Sequence, residues 1–154
     1  MGRVSFHLPR RAAAVAATAA AALAVAAAPA TAAKTYNETV VATVKKASQN
    51  GSTLVYTGTV RSSVLGRGTV RQTVRLNGLN VTGSFVIRYK GGTVRGTVRA
   101  KAKLGLREAT FTGTSRTTGG TGRYKGATGS GSYRGTGALN MSGATFRSTG
   151  TIRF

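Results

Sequence analysis

Across most of the chain beyond residue 52, apolar and polar residues alternate one by one. In "TVRQTVRL", Val70, Gln72, Val74 and Leu76 fall on one side and Thr69, Arg71, Thr73 and Arg75 on the other. A period of two belongs to a strand with one face buried and one face wet. "VTGSFVIRYK" repeats the pattern, with Val81, Phe85, Ile87 and Tyr89 opposite Thr82, Ser84, Val86, Arg88 and Lys90. In "TVRGTVRAKAKL" the apolar side is Val94, Val98, Ala100, Ala102 and Leu104, and the polar side carries Arg95, Arg99, Lys101 and Lys103. "EATFTGT" and the C-terminal "ATFRSTGTIRF" keep the rhythm, the latter placing Phe146, Ile152 and Phe154 together. Threonine, valine and aromatic residues favour strands, and no segment after residue 33 has a helical period.

Short turn signals separate these runs: "QNGS" at 49–52, "LNGLN" at 76–80 and "KGG" at 90–92. They are the punctuation of an antiparallel meander, and counting between them gives roughly eight strands. No helix is available to cover the apolar faces, so the sheet must close on itself. The expected fold class is all-β: one antiparallel eight-stranded barrel, residues 34–154, preceded by an N-terminal signal helix. "GTVR" occurs four times, starting at Gly58, Gly68, Gly92 and Gly96, but at no fixed period, so a solenoid is not indicated.

The first 33 residues read differently. Arg3, Arg10 and Arg11 precede an Ala/Val/Leu run that ends in "APATAAK". A basic segment, an apolar segment and small residues at the exit are the marks of a cleaved signal peptide, placing the domain outside the cell or in its envelope. The general export route is favoured over the twin-arginine route, because only alanines and a valine follow the arginine pair. With the leader gone no membrane span is expected.

Charge and inventory narrow the chemistry. The whole chain has 23 Lys and Arg against 2 acids, a net charge of +21, and it has no cysteine. Disulfides are therefore ruled out, and a surface this basic attracts polyanions. His7, the only histidine, lies in the leader. The exported domain thus lacks the usual ligands of zinc and copper and the parts of a Ser-His-Asp or Cys-His arrangement, and neither metal nor cofactor is expected. Glu38 and Glu108 are the only acids, and each is expected to pair with an arginine.

"GGTGRYKGATGSGSYRGTG", residues 119–137, is the most distinctive stretch. Its glycines loosely suggest a phosphate-cradling loop, but such loops need a following helix, and "ATGSGSYRGTG" cannot supply one. Turns and close strand approach account for them better, with Tyr124 and Tyr133 packing across. In combination with "GGTVRGTV" upstream, the stretch resembles the allene oxide cyclase barrel-like superfamily, which includes the dirigent proteins and small secreted bacterial members. Gly119, Gly120, Thr121, Gly122, Arg123, Tyr124, Gly126, Ala127 and Gly129 carry the likeness. The resemblance implies an eight-stranded antiparallel barrel in which these residues shape the wall. It also implies a polar, acid-bearing pocket for the family's enzymes, whereas this chain has no aspartate. A non-enzymatic role is favoured; were the domain an enzyme, a cyclase-like isomerase is what the resemblance implies.

Two kinds of site follow. On the exterior, Arg71, Arg75, Arg88, Arg95, Arg99, Lys101 and Lys103 are candidates to hold anionic polymers such as teichoic acid, polysaccharide or nucleic acid. In the interior, Gln72 and Tyr89 are candidates to line a small-molecule pocket, with the Tyr89 hydroxyl expected to be satisfied by backbone. Related barrels often assemble through their outer faces, which leaves a homo-oligomer open, while the charge on this face favours a monomer.

Overall fold

The computed structural model describes residues 32–154; the signal segment proposed for residues 1–33 lies almost wholly outside them. Eight strands run in chain order: β1 (Thr35–Asn50), β2 (Thr53–Ser62), β3 (Gly66–Asn77), β4 (Asn80–Tyr89), β5 (Gly92–Leu104), β6 (Glu108–Gly120), β7 (Thr128–Ala138) and β8 (Gly143–Arg153). Each pairs antiparallel with the next, and β8 pairs back onto β1, closing the barrel. There is no α-helix among the described residues; a single 3-10 turn covers Gly122–Tyr124.

The alternation sorts the two surfaces as the pattern requires. Val70, Gln72 and Val74 are buried while Thr69, Arg71 and Arg75 are exposed, and β4 and β5 behave alike. Leu54, Ile152 and Val44 are the largest fully buried side chains. Tyr133 stacks on Phe146 with ring centres 5.0 Å apart, and Phe146 meets Phe111 at 5.7 Å. Leu104 departs from expectation: it is 58% exposed. The β4–β5 ladder stops at Asn80↔Lys101, so Leu104 has passed the rim and pairs only with Ala109 of β6.

A meander barrel gathers its turns at two ends. The near end collects the β2–β3, β4–β5 and β6–β7 turns with both ends of the described chain, where Lys34 and Phe154 exchange backbone hydrogen bonds of 3.1 and 3.2 Å. The far end collects the other four hairpins.

At the near end the glycine-rich stretch forms a plug. Gly122 has φ +59 and a Cβ there would strike the Gly91 carbonyl, so the chain can turn only at glycine. Thr121 fastens the plug to β5: its Oγ1 accepts the Thr93 N–H at 3.1 Å and lies 2.7 Å from Thr93 Oγ1. The turn drives Tyr124 inward, where its hydroxyl donates to the Lys90 carbonyl at 3.0 Å and its ring meets Phe154 and Tyr89 edge-on.

Candidate functional site

The interior is not solid. A cavity of about 80 Å³ fills its near half, lined mainly by apolar residues including Val70, Ile87, Val98 and Ile152. A second, of about 20 Å³, lies toward the far end between Tyr56, Leu76, Val81 and Met141. Gln72, Tyr133 and Phe146 belong to both linings and form the partition between them. Gln72 Nε2 donates to Tyr133 Oη at 3.2 Å, which ties the partition across the barrel from β3 to β7. Pockets for drug-sized ligands run from roughly 300 Å³ upward. The larger cavity therefore suits a few waters or a small group, and larger guests require the wall or plug to shift.

Both interior candidates line this cavity, and the structure adds one the alternation did not single out. Glu38 stands on the inward side of β1 with Val40, Ala42 and Val44, and its carboxylate accepts a short hydrogen bond from Ser62 Oγ. The expected arginine partner is replaced by a serine because the arginines stand on the outer face. Burial pushes the Glu38 carboxyl above the ordinary carboxylate range, and the Ser62 bond only partly offsets that.

Tyr89, on β4, completes the polar corner. Its hydroxyl is buried and makes no hydrogen bond, contrary to the backbone partner expected for it. Ser62 is near enough to favour the phenolate, yet its proton goes to Glu38 and its oxygen already accepts the N–H groups of Val64 and Leu65 at 3.1 and 2.9 Å. Burial foremost, then the neighbouring Glu38 charge, raises the Tyr89 pKa far above that of free tyrosine. Burial likewise raises Tyr133, against the partial relief of Gln72. Ser115 and Ser148, with hydroxyls 2.7 Å apart, supply a further neutral polar patch. The corner thus offers a carboxyl biased toward its protonated form and an unspent phenol facing an apolar space.

On the outside, all seven basic candidates are exposed. No two of them are directly opposite: Val86 lies between Arg71 and Arg95, and Thr82 between Arg75 and Arg99. Arg88 is flanked by Thr69 and Thr93, Lys101 by Asn80 and Thr112, and Lys103 faces Thr110.

A denser arrangement lies on other strands. Following cross-strand partners from Lys101 leads to Thr112, Arg134, Arg147, Val41, Arg61 and Arg67, a single row winding over seven strands. All seven residues are exposed. Within it Arg134 opposes Arg147 directly, and Arg61 opposes Arg67. A shallow depression of about 350 Å³ runs beside Arg134 and Arg147, edged by Thr110, Thr112, Thr136 and Thr145. The "RSSVLGR" hairpin hints at the Arg61–Arg67 pair, but Arg134 and Arg147 meet only once register is known. No protein-family model matches this chain, and no curated protein matches it.

Proposed function

We propose that this chain is an exported, non-enzymatic barrel whose basic exterior holds linear anionic polymers at the cell surface or outside it. The observation that carries the reading is the wound row from Lys101 to Arg67. Like charges directly opposite one another on a sheet are destabilising. Two such arginine pairs on one track, with only Glu38 and Glu108 as acids in the whole chain, form a track whose repulsion an external polyanion relieves. With neighbouring strands about 4.8 Å apart, the row's six steps trace a path of roughly 29 Å around the closed wall, which a flexible chain molecule can follow and a single ion cannot. The signal peptide read at 1–33 and the glycine-motif resemblance to the allene oxide cyclase barrel-like superfamily belong to the same proposal.

The test is elution from heparin or teichoic-acid resin in a salt gradient. Binding by displacement of counterions weakens steeply with salt. Arg134→Gln with Arg147→Gln is expected to elute at clearly lower salt than the parent, and lower than the matched pair Arg71→Gln with Arg95→Gln. Elution indistinguishable from a neutral resin would overturn the proposal.

A second reading rests on the Glu38 corner: a carrier for a small apolar ligand, or a cyclase-like isomerase. A protonated Glu38 can give its proton to a ligand oxygen and recover it later, and Tyr89 can donate a hydrogen bond to the same ligand.

A further inference from the structure

The far end of the barrel carries a feature that polymer binding does not use. Leu79 is 54% exposed, Leu104 58%, Leu106 100% and Leu139 42%, and all four sit on hairpin tips at that end. They are neighbours through the ladder. The Leu79 carbonyl accepts the Ala102 N–H at 2.7 Å, two residues before Leu104. Leu104 pairs with Ala109, and Glu108 pairs with Ala138, which precedes Leu139. The leucines therefore form one arc across the β3–β4, β5–β6 and β7–β8 tips. Isolated exposed leucines are ordinary, but an arc on one rim is an interaction surface.

Its surroundings indicate the partner. Arg75, Lys101, Lys103 and Arg107 stand at or just behind the tips, against the single exposed acid Glu108. Apolar tips backed by a basic collar match the boundary of an anionic bilayer, where leucines enter the acyl region while cations meet headgroups. The outer wall, studded with arginine, lysine and threonine, lacks the apolar band of a membrane-spanning barrel. We infer that the barrel docks end-on, by its leucine tips, onto the surface of a membrane rich in anionic lipid. The collar shares Lys101 with the polymer row, so it is the leucines, which that row does not use, that tell the two readings apart.

The chain has no tryptophan, so Leu106→Trp installs a single reporter at the tip, and Lys125→Trp installs one at the opposite end. Vesicles of equal parts phosphatidylcholine and phosphatidylglycerol are the probe. The Leu106→Trp protein should shift its emission to the blue and be quenched by spin labels on the lipid chains, with a much weaker response on phosphatidylcholine alone. Lys125→Trp should show neither change. Adding Leu79→Ser and Leu104→Ser to the reporter protein should weaken vesicle binding about tenfold while leaving heparin elution unmoved. Unchanged Leu106→Trp emission on anionic vesicles, or equal quenching of Lys125→Trp, would overturn the inference, and heparin alone should produce no blue shift.

Discussion

The two ends of the barrel are made from the same antiparallel hairpins but finish in opposite ways. At the near end, the long β6–β7 connection folds inward, and Tyr124 and Ala127 become 3% and 0% exposed. At the far end, shorter turns leave leucines standing in solvent. The difference lies in backbone chemistry: Gly122 and Gly126, both at positive φ, let the connection reverse over the opening. Two of the far tips also turn at glycines, Gly51 and Gly78, and the β7–β8 tip turns at Met141, but all four are too short to fold back. One end consequently stores its apolar surface in the fold, and the other presents it.

The largest effect should come from emptying the plug. Tyr124→Ala removes a buried ring and its bond to Lys90, and should cost about 3–5 kcal/mol, by comparison with other buried aromatics truncated to alanine. Urea unfolding of the variant checks this; a midpoint close to the parent's would mean that the near end does not depend on its plug.

An intermediate effect is expected at Glu38, and its sign depends on pH. A carboxyl whose pKa is raised by folding binds its proton more tightly in the folded state. The parent should therefore be most stable in acid and lose stability as pH rises from the ordinary carboxylate range through the raised value. Glu38→Gln keeps an acceptor for Ser62 but carries no charge, so it should gain on the parent as pH rises and hold that gain at neutral pH. Melting temperatures across pH measure the gap; a variant less stable than the parent at neutral pH would contradict the burial of an unfavoured charge.

The smallest effect should be at the far tips. Leu79→Ser should alter stability by no more than about 0.5 kcal/mol, as for other surface substitutions. A large loss in the same urea assay would make that leucine part of the fold, removing the contrast between the ends.

Much of the wall was legible because a period of two needs no knowledge of neighbours: the alternation in 69–76 and 81–90 alone separates Val70 and Ile87 from Arg71 and Arg88. What depends on pairing was not legible. The arginines at 134 and 147 are thirteen positions apart and become opposite only through the β7–β8 register. Leu104 misleads because its strand outruns its neighbour. The plug read as turns, since the inward seat of Tyr124 depends on the Lys90 carbonyl and the Tyr89 and Phe154 rings, all about thirty positions away in the chain. Glu38 was in reach: "TYNETVVATV" puts it in line with Val40, Ala42 and Val44, yet an acid in so basic a chain points first to an arginine partner.

Closure of the ring by β1 and β8 also sets an order of assembly. Every other pairing joins strands adjacent in sequence, whereas the seam joins Tyr36 to Ile152 and cannot form until the last strand is in place. Folds that depend on such distant contacts are slow to form. Until the seam shuts, β1 and β8 are open edges, each able to accept a strand from another molecule. Like charge along the outer face opposes that exchange, because half-built sheets so rich in arginine and lysine repel one another.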